Sequence, residues 1–305
     1  MEILGKTNID FIGKRNISFV ISAIISIIGI IGIIQIGRGA ANMGIDFSGG
    51  TAMQLKFSQP FAIGDARAAL HKHGIAKADL QEIKDGNMLL VKMAGAAVGK
   101  PSEMVQEAFK KEFAGNPFTV ESSTEIGPSI GDKLRKDTLI AVAISLLGII
   151  LYIAWRFDFK FGIGATLSTL HDVLAMVAIF YLLNKEINLL FITAVLTIAG
   201  YSLTDTVVIF DRIRENLHKN LKGSLHSIFN GSINEVLSRT IITSVTTFLA
   251  ALSLFLFGGE VIHDFSLALL IGIGVATYSS VFVASPIVVL LEDRALAKSS
   301  AGAKA

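Results

Sequence analysis

The stretch IAGYSLTDTVVIFDRIREN, Ile198 to Asn216, starts inside an apolar run and ends in a charged helix. The run is long enough to cross a bilayer, and Asp205 sits within it. Counted back from Asp211, where the charges begin, Asp205 lies six residues, or about 9 Å, inside the apolar part. An ionisable side chain at that depth costs roughly 3 kcal/mol on insertion scales, so it reads first as a functional group. Helical spacing places it on one face with Ile198, Tyr201, Ser202, Val208 and Ile209. That face is expected to meet other helices. The competing reading is a neutral Asp205 that bonds a neighbouring helix as glue.

The composition agrees with a membrane class. The 305 residues are 52% hydrophobic and 17% charged, with a mean hydropathy of +0.62, whereas soluble domains carry about 25% charged residues. A net charge of +2 is too small to point to nucleic acid. With no cysteine, the chain has no disulfide, thiolate metal site or cysteine nucleophile.

Five further runs match a span of about 20 residues. With the stretch around Asp205, the expected spans are 17–36, 138–155, 161–183, 187–210, 240–257 and 265–291, the last with Pro286 near its end. The first is longer than a signal-peptide core and is read as a retained anchor. Basic residues set the orientation. Lys6, Lys14, Arg15, Arg156, Lys160, Arg212, Arg214, Lys219, Lys222, Arg239, Arg294, Lys298 and Lys304 fall on one side, and the two short loops opposite hold only Lys185. Both termini are therefore expected in the cytoplasm. The organisation is a cytoplasmic N-terminus and first span over 1–37, an outer domain over 38–137 and a five-helix bundle over 138–291. A cytoplasmic tail follows over 292–305.

The outer domain reads as strand 51–58, helix 61–73 and strands 80–83 and 88–93, then helix 101–114 and strand 117–125. Asp85-Gly86-Asn87 marks the hairpin. This β-α-β-β-α-β order predicts a ferredoxin-like α+β fold. His71 and His73 stand two apart on a helix end, which favours a solvated end over a metal site. Residues 211–238 carry Leu217, Leu221, Leu225 and Ile228 at helical spacing and read as an amphipathic cytoplasmic helix at the interface.

Two other polar features lie within spans. His171-Asp172 falls about 16 Å beyond Lys160, near the midplane, and reads as a proton relay or as a buried pair holding helices together. In LSRTIITSVTT (237–247), Arg239, Thr243, Thr246 and Thr247 form one stripe. Its bland reading is a snorkelling arginine above hydroxyls bonded to their own backbone. No phosphate loop, Gly-x-Ser-x-Gly or His-Glu-x-x-His occurs, so no enzyme and no cofactor are expected, and energy must come from a gradient or a partner.

GIDFSGGT (44–51), His171-Asp172, the stretch 200–216 and LSRTIITSVTT, in this order and within six spans, together resemble the SecF branch of the SecD/SecF family. That family belongs to the resistance-nodulation-division superfamily, and the resemblance covers nearly the whole chain. It implies an accessory subunit of bacterial Sec export in the inner membrane. Such a subunit pairs with a separate SecD-like chain and meets the translocon channel, its accessory proteins, membrane lipid and the emerging polypeptide. It uses the proton gradient to draw secreted chains outward. Asp205 would carry the proton and Arg239 would compensate its charge. Tyr201, Ser202, Thr204, His171, Asp172, Thr243, Thr246 and Thr247 would surround them. Gly44, Asp46, Phe47, Gly49 and Gly50 form the family motif of the outer domain. Thr204 departs from the family's usual Asn. The alternatives are a scaffold without proton coupling and half of a small-molecule exporter.

Overall fold

The computed structural model describes residues 7–75, 78–83, 87–94, 101–219 and 223–302. The chain divides into two compact units. One comprises residues 43–141 with 186–189, and the other is the helix bundle.

The first unit is built on β1 (Gly50–Phe57), α3 (Ile63–Lys72), β2 (Ala78–Ile83), β3 (Met88–Ala94), α4 (Pro101–Glu112) and β4 (Phe118–Ile126). All strand pairs are antiparallel in the order β2-β3-β1-β4, the ferredoxin-like arrangement expected from the element order. Alternation explains the register. Met53, Leu55 and Phe57 of β1 point into the core beneath Ala66, Ala69 and Leu70 of α3 and Val105, Ala108 and Phe109 of α4. Phe57 is ringed by Phe61, Phe109, Phe113 and Phe118 at centroid distances of 4.6–5.9 Å. At the expected hairpin Ile83 pairs with Met88, and Asn87, which leads into β3, has φ +55°. Asp85 and Gly86 lie outside the described residues, as do Lys6, Leu221, Lys222 and Lys304.

The bundle contains α1 (Arg15–Gly37), the later part of α5 (Pro128–Arg156), α6 (Phe159–Leu182), α7 (Leu189–His218) and α8 (Leu225–Phe257). It ends with α9 (Glu260–Ser279) and α10 (Ser285–Gly302). Six of its helical stretches are long and apolar enough to span a membrane, α9 and α10 counting as one. Small residues let the helices approach closely, as packing in lipid requires. Gly29 of α1 lies against the Leu174 carbonyl of α6, and Gly272 of α9 lies against Ile198 of α7.

Pro286 does interrupt the last span. It has no N–H to give to the carbonyl four residues back, and a π-helical turn over Ser280–Ala284 joins α9 to α10. The Phe282 carbonyl, so freed, accepts Ser18 Oγ of α1 at 3.1 Å.

The segment 211–238 departs from the expected interfacial helix. Its described residues are the end of α7 and the beginning of α8, which starts at the Ser224 cap. Two members of the expected apolar repeat, Leu217 and Leu225, pack against protein. Phe229 and Ile233 are buried with Phe11 and Ile12, and Leu217 and Leu225 pack beside them. Asn230 Oδ1 accepts the Phe11 and Ile12 amides at 3.0 Å, and Asn234 accepts the Ile9 amide at 2.9 Å.

Candidate functional site

Asp205 is buried in the bundle at 7% exposure, and its Oδ2 has no protein hydrogen-bond partner among the described residues. A buried carboxylate oxygen without a donor is costly, and such groups call for a functional account. The polar side chains that act on it are the Ser244 hydroxyl of α8 and, at longer range, Arg239. Ser244 Oγ in turn accepts Thr277 Oγ1 of α9 at 2.8 Å and lies 3.4 Å from the Tyr201 hydroxyl. Thr277 Oγ1 also lies 2.8 Å from the Ile273 carbonyl, so its one proton is shared between that carbonyl and Ser244.

One turn earlier on α7, Ser202 Oγ donates to Asp172 Oδ2 of α6 at 2.5 Å. Ser279 Oγ of α9 donates to the same oxygen at 2.8 Å, and His171 Nδ1 lies 3.0 Å from Oδ1. Tyr201 and Ser202 on α7, with Thr277 and Ser279 on α9, thus serve two buried carboxylates side by side along the same pair of helices.

Other expected members of the site lie apart from these networks. Arg239 is exposed, and among the described residues no ion pair joins it to Asp205. Its charge reaches the carboxylate only at longer range. Thr204 is exposed and bonds the Gly200 carbonyl. Thr243, Thr246 and Thr247 are exposed and bond backbone carbonyls of their own helix, as the bland reading of that stripe has it. Conversely, Ser244, Thr277 and Ser279 were not singled out. Ser244 is off the Arg239 stripe, and the run Thr277-Tyr-Ser-Ser280 inside an apolar span is the signal that would have found the other two.

The motif around Gly49 lies in the first unit. Gly44 precedes the short helix α2 (Ile45–Ser48) and donates its amide to the Ile187 carbonyl at 3.0 Å. Asp46 Oδ2 accepts the Leu189 amide at 2.9 Å, and Lys92 pairs with Glu186 at 2.9 Å. Phe47 is buried. Gly49 at φ +69° turns the chain into β1, and Gly50 pairs with Ala94 and Ile126. The motif therefore grips residues 186–189, the segment joining α6 to α7. His73 pairs with Glu112 at 3.3 Å. Among the described residues no three His, Cys, Asp or Glu side chains gather as a metal site would need.

Residues 105–294 match the family described as "Protein export membrane protein SecD/SecF, C-terminal", and residues 41–61 match the "SecD/SecF GG Motif". The protein translocase subunit SecF of Thermodesulfovibrio yellowstonii is 53% identical over 98% of this chain and 99% of its own length. That of Pseudomonas aeruginosa is 36% identical over 93% and 91%. A crystal structure of SecDF from Thermus thermophilus, described as a translocon-associated membrane protein, superposes with a TM-score of 0.82 at 34% identity. It matches 94% of this chain, which spans only 39% of that longer protein.

Proposed function

Since this chain belongs to the SecD/SecF family of protein export membrane proteins as a multi-pass, SecF-type translocase subunit, we propose that it couples the proton gradient to polypeptide export in complex with a separate SecD-like chain. The SecDF protein holds further chain beyond the part this one matches, and a SecD-like partner would supply its equivalent. The distribution of basic residues supports an orientation with both termini in the cytoplasm and the sheet-containing unit outside the bacterial inner membrane. There that unit would meet the translocon and the emerging chain.

The observation that carries the reading is the Asp205 carboxylate, buried in a span with one oxygen unpartnered. Ionised, it draws the Ser244 proton and attracts Arg239. Protonated, it needs neither, so the α7–α8 pair has two arrangements separated by one charge. His171 and Asp172 form a second proton-holding pair, linked to the same helix through Ser202. The test is export of a secretory protein into membrane vesicles with and without an imposed proton gradient. Asp205→Asn is expected to insert and to bind its partner normally while losing the gradient response. A mutant that still responds as wild type does would make Asp205 helix glue and favour the scaffold reading.

A further inference from the structure

Two buried atoms of α6 have no role in the networks above. Ser168 is fully buried, yet its Oγ meets no protein partner among the described residues. Its neighbour Thr169 does what a span hydroxyl ordinarily does and bonds the Ala165 carbonyl at 3.1 Å. Three residues after Ser168, His171 is only 5% exposed, and its Nε2 is likewise without a protein partner.

The tautomer of His171 follows from its neighbours. With Asp172 ionised, as it is before a proton arrives, Oδ2 accepts the Ser202 and Ser279 hydroxyls and Oδ1 can only accept, so it takes the His171 Nδ1–H. Nε2 then carries a lone pair and points away from Asp172. Residues three apart share a helix face, with Cβ atoms about 5–6 Å from each other. Leaving both atoms dry would cost on the order of 1–3 kcal/mol each. A serine hydroxyl, donor and acceptor at once, and an imidazole lone pair are the partners a buried water takes. The neighbourhood is polar and irregular. The Tyr278 ring lies 6.1 Å from the imidazole, and its hydroxyl reaches the Ser18 carbonyl at 3.1 Å and Ser22 Oγ at 3.2 Å. The π-helical turn opens immediately after Ser279.

We propose that Ser168 Oγ and His171 Nε2 hold a buried water, and that this water delivers protons to the His171–Asp172 pair. The step balances as a relay. A proton reaching the water from the solvent passes to Nε2, and the Nδ1 proton moves to Asp172 Oδ1. The water and the imidazole end neutral, the imidazole protonated on Nε2, and the pair has gone from a charge of −1 to 0. The polar groups of Tyr278, Ser22 and Ser18 mark the route, which leads toward Arg15 at the start of α1. The proposal rests on the reading that this bundle moves protons, but its test is independent of export.

The experiment is nitrogen-15 NMR of the full chain in lipid vesicles with labelled histidine, with His171 assigned among the six histidines by loss of its signal in His171→Gln. The expected result is a protonated Nδ1, a bare Nε2 and magnetisation transfer from water to Nε2. In Ser168→Ala that transfer is lost, while the tautomer and the other five histidine signals stay in place. A proton on Nε2 at rest, no transfer in the wild type, or transfer unaffected by Ser168→Ala each overturns the proposal. An Asp205→Asn protein that still answers the gradient defeats the coupling reading instead.

Discussion

Ser18 Oγ of α1 shares its proton between the Arg15 carbonyl of its own helix at 2.8 Å and the Phe282 carbonyl at 3.1 Å, the one that Pro286 has no amide to serve. The serine and the proline therefore depend on each other. Ser18→Ala removes that shared donor and should cost about 1 kcal/mol. Placed on a Pro286→Ala background, where the backbone N–H is restored, the same change should cost much less. A double-mutant cycle of detergent unfolding on the full chain measures the coupling. Additive effects would show that the Phe282 carbonyl finds another donor.

Gly29 tests the α1–α6 seam. A Cβ added there would lie 2.3 Å from the Leu174 carbonyl oxygen, so Gly29→Ala must push the backbones apart. Gly37 has nothing within 4 Å, and Gly37→Ala is its control. The expected loss is about 1–3 kcal/mol of bundle stability for Gly29→Ala and little for the control. It would be read as a lower midpoint in detergent unfolding.

The spans and the sheet order were legible because length and alternation report burial directly. The span ends at residues 211–238 were not, because an amphipathic face looks the same whether lipid or the N-terminal segment at Phe11 and Ile12 covers it. Asp205 and Asp172 stood out because a carboxylate in an apolar run is visible without a structure. Their partners Ser244, Thr277 and Ser279 come from α8 and α9, and hydroxyl residues inside spans mostly bond their own helix. Only tertiary packing separates Ser244 from Thr243, its neighbour in sequence.

In the first unit, Lys72 and then His73 hold the Glu112 carboxyl below its ordinary value of 4.5 through hydrogen bonds. A depressed acid contributes stability that is present above its unfolded value and lost as pH falls through the folded one. The α3–α4 contact should therefore loosen below about pH 4.5, and Glu112→Gln should remove that part of the acid response. Hydrogen exchange along α4 in the intact protein, followed from pH 6 to pH 3 or roughly so, is the measurement. Equal acid sensitivity in wild type and mutant would rule out the contribution.

Ser244 brings three helices together at one oxygen, which lies 2.8 Å from Thr277 Oγ1 and 3.4 Å from the Tyr201 hydroxyl and acts on Asp205. If Asp205 holds and releases a proton, the group that reports its charge to α8 and α9 is this hydroxyl rather than the exposed Arg239. Ser244→Ala removes that hydroxyl, so a change in the charge of Asp205 is no longer passed to α8 and α9. The expected outcome is normal insertion and gradient-driven export reduced by about tenfold, the equivalent of roughly 1.4 kcal/mol. Ser244→Thr, which keeps the hydroxyl, should retain most of the response, and Thr243→Ala, one residue away on the exposed face, should change nothing. Export assayed across pH in vesicles, with each variant checked for membrane level, separates these cases. Equal losses in Ser244→Ala and Thr243→Ala would mean that α8 responds to any lost hydroxyl and that Ser244 carries no signal from Asp205.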